Sequence, residues 1–559
     1  MAYAKRVTLV GDFETTTYPS YLKDGYVRVW AYALASVETG KVVRVGNSLD
    51  EFMEYVLKKK LDIYFHNLKF DGEFIVYWLL NHGYKYSENR EEKTFNGIIS
   101  DMGQWYQIEV IHKRFKKNIV SVVFKDSLKK LPLKVKSIAK AFKLEESKLE
   151  IDYDEYREVG HVLTKQEYDY VCNDVIIVAK ALKMELDEGM DGLTIGSDSI
   201  NEFKGTIGGK KNFKSLFPIL NVEVDDVIRK AYKGGFVYCN PKYAGKEFKG
   251  VSYDVNSLYP SRMYYDLLPY GMPIRFEGKY EQDDVYPLYI YHLSCYFKVK
   301  RNHLPTIQLK GNMLFKPTEY IADSKEIVEM WMTSVDYELM LEHYNVENLE
   351  IYGGFKFRGC KTLFRDFIDK WMEVKANSTG GKRQLAKLQL NNLYGKFATN
   401  PRRAKKEPRI NEEGIVEYVI GEDELTKPVY TALGAFVTAY ARAYTIRAAQ
   451  KNYNRFLYAD TDSIHLIGYE EAEGIEIHDS KLGCWKNEGY FERGKFLRAK
   501  TYVKVKNGEL HVTCAGMPEN VKEDVSFEGF HEGQVYEGKL MPKRVKGGIV
   551  LIPSEFTIK

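Results

Sequence analysis

The stretch Arg455-Phe-Leu-Tyr-Ala-Asp-Thr-Asp-Ser-Ile-His-Leu-Ile-Gly468 places a short acidic turn between two apolar runs, residues 456–458 and 464–467. This pattern predicts a β-hairpin with Asp460 and Asp462 at its tip. Because alternate residues of an extended strand point the same way, we expect both carboxylates on one face. Two like charges held together repel unless a cation lies between them, and Mg²⁺ prefers carboxylate and phosphate oxygens. A lone Asp-x-Asp is more often a solvated turn, so other parts of the chain must decide between a turn and a metal site.

The composition describes an ordinary globular protein that is large enough for several domains. The chain has 559 residues, of which 44% are hydrophobic and 29% charged. Aromatic residues make up 14%, with 43 tyrosines; tyrosine suits stacking on bases, although core packing also explains most of them. The net charge of +4, from 82 Lys and Arg against 78 Asp and Glu, does not by itself indicate a nucleic-acid binder. A polyanionic partner would have to be bound by local basic grooves.

Cysteine usage and hydropathy favour an intracellular protein. The six cysteines lie far apart and form no C-x-x-C pair, so the sequence predicts neither a zinc site nor a thioredoxin-type motif. Reduced thiols fit a cytosolic setting. The sequence also contains no apolar run of membrane-spanning length and begins with no long apolar segment. We therefore expect a soluble, cytoplasmic protein without signal peptide or transmembrane segment.

Acidic residues stand near the ends of predicted elements in the N-terminal part. Asp12 and Glu14 lie at the end of a buried strand predicted over residues 7–13, two apart and on one face. Asp71 lies where a second strand runs into an apolar helix predicted over 73–80. Each of these acids alone is more often a surface or capping residue than a ligand.

A helix predicted over residues 164–186, with Thr164 as its cap, adds Tyr170 and Asp174 one turn apart. Four carboxylates together suit two-metal phosphodiester cleavage, in which one ion generates hydroxide and both stabilise the transition state. A tyrosine hydroxyl can orient the attacking water. The ordered set Asp-x-Glu, Asn-x-x-x-Asp and Tyr-x-x-x-Asp resembles the proofreading 3′–5′ exonucleases of the DEDDy type.

The C-terminal part contains groups that suit a nucleotide site. Asp254, at the end of a strand, is a natural third carboxylate for the acidic tip. Tyr259 follows on the adjacent turn; its ordinary role is core packing, but it could also stand where a ribose 2′-hydroxyl would clash. A helix over 380–397 carries a polar stripe, preceded by Lys375, that is either a solvated face or a triphosphate site. The stripe consists of Arg383, Lys387, Asn391 and Tyr394.

Two shorter motifs suit contacts with a nucleic-acid strand. In Tyr232-Lys-Gly-Gly235, the paired glycines Gly234 and Gly235 let the backbone approach another chain closely, although a plain tight turn is the simpler interpretation. In Lys500-Thr-Tyr502, a cation and an aromatic close an apolar stretch, which suits a primer phosphate.

Taken in chain order, these motifs resemble those of the family B DNA polymerases. Asp254–Pro260 resembles motif A, Lys387–Gly395 motif B and Tyr458–Asp462 motif C, while Tyr232–Gly235 and Lys500–Tyr502 match two motifs of the protein-primed branch. The similarity spans essentially the whole chain. Further stretches resemble the φ29-type replicative polymerases of small Bacillus phages, namely Tyr64–Gly72, Met102–Tyr106, Gly196–Ser199 and Phe556–Lys559.

The resemblance implies a multidomain α/β (α+β) fold, with an RNase H-like exonuclease domain and a right-hand polymerase. The implied limits are exonuclease 1–195, palm 196–265 and 431–516, terminal-protein-region insertion 266–363, fingers 364–398, second insertion 399–430 and thumb 517–559. Independently of the family, residues 401–427 are charged and contain Glu413-Gly414 between short apolar runs, which predicts an exposed β-hairpin.

The resemblance also assigns roles to individual residues. The polymerase carboxylates are Asp254, Asp460 and Asp462, with the Val255 carbonyl near a metal. The nucleotide ligands are Tyr259, Lys375, Arg383, Lys387, Asn391 and Tyr394. Arg383 stands where the family has a lysine, so its planar fork would contact phosphate with a different geometry. The primer-template ligands are Tyr232, Gly234, Gly235, Lys500 and Tyr502.

For the exonuclease, the implied catalytic set is Asp12, Glu14, Asp71, Asp174, Tyr170 and Lys148. Asp12, Glu14 and Asp174 would bind metal, and Glu150 stands where an acidic residue of the family suggests a further metal contact. The implied ligands of single-stranded DNA are Thr15, Asn67, Phe70, Ser127, Leu128 and Tyr153. Stacking of Phe70 or Tyr153 on an unpaired base would contribute about 1–3 kcal/mol each.

The function implied is DNA-directed DNA synthesis with strand displacement and 3′–5′ proofreading, in the replication of viral DNA. A primer 3′-OH, or a terminal-protein hydroxyl at initiation, would attack a dNTP with two Mg²⁺ ions per site, which Mn²⁺ can replace. The expected partners are primer-template DNA, single-stranded DNA, dNTPs and a phage terminal protein. We expect a monomer in the cytoplasm of an infected bacterium, with no membrane partner.

Three alternatives remain open at this point. A stand-alone exonuclease with a degenerate polymerase half is disfavoured by the intact acidic tip. A reverse transcriptase or RNA polymerase is disfavoured by Asp-Thr-Asp and by Tyr259. A non-catalytic DNA-binding protein is disfavoured because every expected carboxylate is present.

Overall fold

The computed structural model describes residues 6–16, 25–115, 118–152, 155–158, 160–308 and 319–559. The strands are β1 Val7–Thr15, β2 Val29–Ser36, β3 Val42–Gly46, β4 Leu61–Phe65, β5 Lys85–Tyr86, β6 Thr94–Ile99, β7 Trp105–Phe115, β8 Asn118–Asp126, β9 Val237–Cys239, β10 Glu247–Val255, β11 Leu268–Glu277, β12 Leu288–Val299, β13 Val328–Thr333, β14 Tyr344–Cys360, β15 Arg402–Ile410, β16 Val416–Leu425, β17 Phe456–Asp460, β18 Ser463–Ile467, β19 Trp485–Arg498, β20 Thr501–Lys506, β21 Glu509–Cys514, β22 Val535–Val545 and β23 Gly548–Thr557.

The helices of the described residues are α1 Leu49–Leu57, α2 Leu68–Asn81, α3 Val135–Phe142, α4 Lys165–Asp187, α5 Ile195–Thr206, α6 Lys210–Leu216, α7 Val222–Lys230, α8 Leu258–Tyr265, α9 Ser334–His343, α10 Arg365–Asn377, α11 Gly380–Phe397, α12 Thr431–Lys451 and α13 Glu519–Lys522. Helices and sheets alternate over several separate cores, as expected for a multidomain mixed fold. Among these helices, none is both long and apolar enough to cross a bilayer.

The N-terminal sheet has the order β3-β2-β1-β4-β8-β7-β6-β5, and β4 runs parallel to both of its neighbours. Helix α4 packs on its β1–β2 side. Thr164 caps α4 with a reciprocal capping box to Glu167, which explains where the predicted helix begins. Helix α2 begins five residues earlier than predicted because Asn67 adopts a left-handed φ of 81° and turns the chain directly after β4. Asp71 therefore lies in the first turn of a helix, and not before it.

The central sheet has the order β21-β20-β19-β10-β18-β17-β9 and joins segments from residue 237 to residue 514. One face is covered by α12, whose Ala-rich sequence is almost entirely buried. The predicted hairpin is present as β17 and β18, with Asp460 paired to Ser463. Thr461 has a φ of 59°, and Asp462 follows it in a two-residue turn. The expectation that strand alternation aligns the two aspartates was wrong, because Asp462 lies in the turn and not in a strand.

Three smaller units complete the fold. The sheet β11-β14-β12-β13 lies within residues 266–363 and encloses its own core with α9. The predicted hairpin in residues 401–427 is present as β15 and β16. The last hairpin, β22 and β23, follows a small core formed with residues of β20 and β21.

Both hairpins pack against the N-terminal unit at Glu73, a contact that we call the Glu73 junction (Glu73, Tyr418 and Arg544). The Tyr418 hydroxyl donates to Glu73 Oε2 at 2.9 Å, and Arg544 Nε donates to Glu73 Oε1 at 2.8 Å. The Glu73 side chain is only 1% exposed. Val416 and Val545 belong to the same apolar core as the residues around Glu73. One carboxylate of α2 therefore holds β16 and β22 together.

Candidate active sites

A cavity of about 730 Å³ lies over the end of β1 in the N-terminal unit. Strand β1 supplies Asp12 and Glu14, and helix α4 supplies Tyr170 and Asp174. Asp71, in the first turn of α2, is buried, and its charge adds to the raised pKa of Glu14. The structure thus brings together the four predicted carboxylates and the tyrosine.

Burial and mutual repulsion dominate the electrostatics of this cavity. Burial, followed by the charge of Asp174, raises the pKa of Asp12 to about 7. Burial and the charge of Asp12 also raise the pKa values of Glu14 and Asp71 well above their ordinary values. Lys148 opposes this effect, with Nζ 3.0 Å from Asp174 Oδ2 and 5.7 Å from the centre of the Tyr170 ring. One ammonium among four carboxylates leaves an acidic site that suits a divalent cation.

The Asp174 carboxylate gives a second indication that the cavity suits a positively charged ligand. Burial is the main cause that raises the pKa of Asp174, and its Oδ1 atom is buried without a hydrogen-bond partner in the described part of the chain. The described residues nevertheless contain no group of three or more His, Cys, Asp or Glu side chains already spaced to hold a metal. Fewer protein ligands suffice where substrate oxygens complete the site. Mg²⁺ is usually bound by one or two carboxylates together with phosphates and waters.

Of the predicted single-strand ligands, Thr15, Asn67 and Phe70 line the cavity. Ser127 does not: it is fully buried, and its Oγ donates to the Phe65 carbonyl at 3.1 Å. Leu128 also lies outside the cavity lining, in the short 3₁₀ turn after β8. Tyr153 lies outside the described residues.

Glu150, for which a metal contact is predicted, lies outside the cavity lining. Glu150 is exposed and does not line the cavity, whereas Asp152 does. The charge of Glu150 is also absent from the causes that shift the four buried carboxylates. Among the acids after Lys148, the structure therefore brings Asp152, and not Glu150, to the cavity.

Two features of the cavity were missed by the sequence analysis. His66 lines it, with Nε2 2.7 Å from the Leu133 carbonyl, and burial lowers its pKa, so the ring is neutral. The position of His66 directly after β4, before Asn67, is a signal that could have identified it. The opposite wall is formed by Leu540 and by Ile549–Leu551 of the last hairpin, for which the sequence offers no signal.

The second carboxylate group lies at the end of the central sheet. Asp254 on β10 pairs in register with Ser463 on β18, and the Val255 amide donates to the Asp462 carbonyl at 2.7 Å. Burial, followed by the charge of Asp462, raises the pKa of Asp254 to about 7. Burial is also the main cause that raises the pKa of Asp462. Asp460 is neutralised in part by Lys500, whose Nζ lies 2.9 Å from both carboxylate oxygens. Lys486 and Lys500 only partly oppose these shifts at Asp254 and Asp462, whose pKa values stay raised.

Two predicted nucleotide ligands contact one another beside these acids. The rings of Tyr259 and Tyr394 stack with centroids 4.0 Å apart and an interplanar angle of 25°. Gly235 lies against them, since a Cβ added there would meet Thr461 Oγ1 at 2.7 Å and the Tyr259 hydroxyl at 3.0 Å. The close approach that Gly235 permits is therefore to its own chain, whereas Gly234 is exposed and faces open space.

Three predicted cations, Lys375, Arg383 and Lys387, lie close to one another near Ser257. Lys375 Nζ donates to Ser257 Oγ at 3.1 Å, and Arg383 donates to the Lys375 carbonyl. Burial, then the charges of Lys387 and Arg383, lower the pKa of Lys375. Arg383, Lys387 and Asn391 are exposed along one face of α11, and Tyr394 is half-buried on it, as predicted. A group of mutually repelling cations near two mutually repelling carboxylates suits an anionic ligand accompanied by a metal ion.

The remaining predicted DNA ligands lie at the edges of this site. Tyr232 is half-buried, and the nearby Tyr394 hydroxyl contributes to its raised pKa after burial. Tyr502 stacks on Phe496, with centroids 4.9 Å apart, and contacts Tyr458 at 5.1 Å. Its ring is half-buried and packs against the core on this face of the central sheet.

Arg442 is a buried residue beside this site that the sequence analysis missed. It is 3% exposed on α12, and its Nη1 donates to the carbonyls of Lys233 at 2.9 Å and Gly234 at 2.8 Å. Its Nη2 donates to both carboxylate oxygens of Asp336 on α9, at 2.8 and 2.7 Å. Arg442 thus fixes the backbone beside Gly235. The presence of an arginine in the Ala-rich helix sequence was the available signal.

Comparisons with known proteins agree with this geometry. The family described as "DNA polymerase type B, organellar and viral" matches residues 53–480. The chain is 48% identical over 570 residues to the DNA polymerase of Bacillus phage Nf, covering 98% of this chain and 99% of the relative. It is 47% identical over 571 residues to the DNA polymerase of Bacillus phage phi29, covering 98% of each. A DNA polymerase of Streptococcus phage Cp-1 is 33% identical over 584 residues, again covering 98% of each.

Solved structures give the same result. The phi29 DNA polymerase complexed with primer-template DNA and incoming nucleotides has a TM-score of 0.94 and 46% identity to this chain, and covers 99% of this chain and 100% of that one. The phi29 DNA polymerase complexed with single-stranded DNA has a TM-score of 0.93 at the same identity and coverage. The multidomain fold and the resemblance expected from the motifs are confirmed.

Proposed function

Because the chain belongs to the organellar and viral type B DNA polymerases, we propose that its two carboxylate sites separate nucleotide addition from removal of a mispaired end. The chain is a phage-type DNA polymerase, and 3′–5′ exonuclease activity is typical of its family. The proposal concerns the residues that perform each reaction, the metal, and the partners.

The polymerase assignment rests on one observation: acids and cations lie beside the stacked pair Tyr259–Tyr394, since the charge of Asp462 acts on Tyr394 and Lys375 donates to Ser257, two residues before Tyr259. Asp254 and Asp462 hold negative charge at the end of the sheet, while Lys375 and its neighbours on α11 hold positive charge. A nucleoside triphosphate is the ligand that needs both, since its phosphates bind the cations and its metal binds the acids. Tyr259 would then stand beside the sugar and exclude a ribose.

The donors of both sites suit divalent ions, which we propose are Mg²⁺, two at each site. When bound, such ions would lower the pKa of the attacking hydroxyl or water and stabilise the developing charge. Asp254, Asp462, Asp460 and the Val255 backbone would hold them in the palm. Asp12, Glu14 and Asp174 would hold them in the exonuclease cavity. Lys500 keeps Asp460 in place and lies where a primer phosphate could reach it.

The exonuclease assignment rests on the cavity that collects Asp12, Glu14, Asp174 and Tyr170. Phe70 on one wall and the apolar residues of β22 and β23 on the other would hold unpaired bases. The Tyr170 hydroxyl would orient the attacking water, and Lys148 would hold Asp174 and balance its charge. A mispaired primer end melts more readily, which would deliver it here as a single strand.

The partners proposed are those named for the homologous phi29 enzyme, primer-template DNA, single-stranded DNA and incoming nucleotides. We further propose a terminal protein that primes synthesis and contacts the sheet within residues 266–363. The proposed domain limits are those given by the family resemblance, and the proposed acting form is a monomer.

The test is extension of a primed single-stranded circle with dNTPs and Mg²⁺, without accessory protein. Asp460→Ala and Asp12→Ala would be assayed beside the parent, with Glu150→Gln as a matched acidic control. We expect products longer than the circle, lost only in Asp460→Ala, and primer shortening lost only in Asp12→Ala. Shortening without any extension by the parent would contradict the proposal and favour a stand-alone exonuclease.

A further inference from the structure

A lysine on the carboxylate-bearing face of the palm sheet lacks an acidic partner. Lys504 lies on β20 and is half-buried, and within the described residues no carboxylate lies within ion-pair distance of its ammonium. The acid that acts on it electrostatically, Glu488, is already paired with Lys486. Burial lowers the pKa of Lys504 to about 8, with a smaller contribution from the neighbouring Lys506. Such an ammonium lacks both full solvation and a counter-charge.

The ammonium is held in a fixed place behind the polymerase carboxylates. Lys504 Nζ donates to Ser252 Oγ at 3.4 Å, and Ser252 Oγ lies 2.8 Å from His465 Nδ1. Ser252 and His465 are register partners, and the next pair on the same face is Asp254 and Ser463. Because a strand rises about 3.3 Å per residue, Ser252 lies about 7 Å from Asp254 along β10, on the side away from the strand end.

Ser252 Oγ lies between the Lys504 ammonium and a buried histidine. Burial holds the pKa of His465 well below its ordinary value, and its Nδ1 lies 2.8 Å from Ser252 Oγ. The Lys504 ammonium can only donate, so Ser252 Oγ accepts from it. The rings of Tyr502 and Phe491 lie 5.5 and 5.9 Å from the ammonium and confine it further. The two other N–H groups of Lys504 remain available for a ligand.

We propose that Lys504 binds a backbone phosphate of the primer-template duplex, about two nucleotides behind the primer terminus. Phosphates of one strand follow each other by about 3.4 Å along the helix axis, so 7 Å corresponds to about two nucleotides. The inference rests on the proposed function, which places the primer end at Asp254. Lys504 lies two residues after Tyr502 on the same face of β20 and extends the proposed primer contacts along the duplex.

The experiment measures binding of a primer-template duplex with a phosphorothioate 3′ end, in EDTA, between 50 and 200 mM salt. The variants are Lys504→Gln, which removes the charge, and Lys504→Arg, which keeps it. Lys249→Gln is the matched control, because Lys249 is an exposed lysine of β10 whose ammonium lies 5.1 Å from the Tyr469 ring.

We expect Lys504→Gln to bind about tenfold more weakly than the parent at 50 mM salt and about threefold more weakly at 200 mM. This change corresponds to a loss of about 0.9 from the slope of log affinity against log salt, the value for one phosphate contact. Lys504→Arg and Lys249→Gln are expected to stay within about twofold of the parent, with the parent slope. Degradation of single-stranded DNA and thermal unfolding serve as controls for folding.

Two outcomes would overturn the inference: an unchanged slope in Lys504→Gln, or a Lys504→Arg variant as weak as Lys504→Gln. The second outcome would assign Lys504 a structural role in the palm core. A parent that binds the duplex with the expected slope but never extends it would contradict the proposed function alone. A parent that binds no duplex would contradict both.

Discussion

The Tyr259 ring lies on the Tyr394 ring with their centroids 4.0 Å apart, and the Tyr259 hydroxyl faces the backbone of Gly235. The pair joins helix α8, which follows β10 of the central sheet, to helix α11. The close packing of the Tyr259 hydroxyl against Gly235 restricts movement of the ring toward that backbone.

We predict that Tyr259→Ser relaxes discrimination between dNTPs and ribonucleotides by about 10- to 100-fold in the ratio of kcat/KM values. The substitution removes the ring that would meet a 2′-hydroxyl. Single-nucleotide incorporation with matched dATP and ATP measures the effect. Tyr259→Phe is the control, since it keeps the stacked ring; equal relaxation in both variants would contradict a steric role.

Arg442 is predicted to be a positioning residue for nucleotide addition. Arg442→Lys cannot hold Asp336 and the carbonyls of Lys233 and Gly234 simultaneously, so the backbone at Gly235 shifts. We expect kcat/KM for dNTP to fall by about 10- to 100-fold, while exonuclease activity stays within twofold. Arg442→Met would leave Asp336 without its partner and cost about 3–5 kcal/mol of stability.

The matched control is Arg447→Lys on the same helix. Arg447 pairs with Glu342 of α9, but the two side chains are 48% and 44% exposed, so this pair contributes at most about 1 kcal/mol. A comparable loss of polymerisation in Arg447→Lys would show that any contact between α12 and α9 suffices, and would contradict a specific role for Arg442.

Stability without metal is predicted to fall as the pH rises. The pKa of Asp12 is about 7 in the folded protein, against an ordinary value of 3.8 that applies to the unfolded chain. The folded state therefore binds the Asp12 proton more tightly than the unfolded state does. The stabilising contribution is complete below about pH 4 and is lost as the pH rises through about 7, amounting to at most about 4 kcal/mol. Unfolding by denaturant in EDTA at pH 5 and pH 8 measures the difference.

Asp12→Asn is the control for this pH dependence, because it keeps the shape and removes the titration. We expect a smaller loss of stability between pH 5 and pH 8 in this variant. Mg²⁺ added at pH 8 is expected to stabilise the parent more than Asp12→Asn. A parent that is equally stable at both pH values in EDTA would contradict the raised pKa.

The Glu73 junction is predicted to support long uninterrupted synthesis. Tyr418→Phe removes the hydrogen bond to Glu73, which contributes about 1 kcal/mol to the stability of the junction. The fraction of molecules in which the junction is open therefore rises about fivefold. We expect products on a primed circle to shorten severalfold, with single-nucleotide incorporation unchanged. Arg409→Gln is the control, because Arg409 pairs with Glu417 on the exposed side of the same hairpin. Equal product lengths in Tyr418→Phe and the parent would contradict the prediction.

The parts of the site that the sequence predicted are those formed by local patterns. The hairpin around Asp460 and the capped helix with Asp174 follow from apolar runs, a turn and a capping residue within a few positions. The roles of Glu73 and Arg442 could not be predicted in this way. The partners of Glu73 are 345 and 471 residues away in sequence, and one buried arginine in a helix does not indicate which carbonyls it binds. The surroundings of Ser127 were equally out of reach, because the sequence does not indicate that its hydroxyl donates to the Phe65 carbonyl, 62 residues away.

The Glu73 junction also has a topological consequence. The chain runs from the central sheet to the β22–β23 hairpin on one side and to the β15–β16 hairpin on the other. Both hairpins contact the same carboxylate, that of Glu73. Protein therefore forms a closed path around whatever lies between these segments. A linear strand inside that path can leave by sliding out at its end, whereas a covalently closed strand has no end. The rate at which the enzyme releases a closed circle would then be limited by how often the Glu73 junction and the apolar packing around it open together.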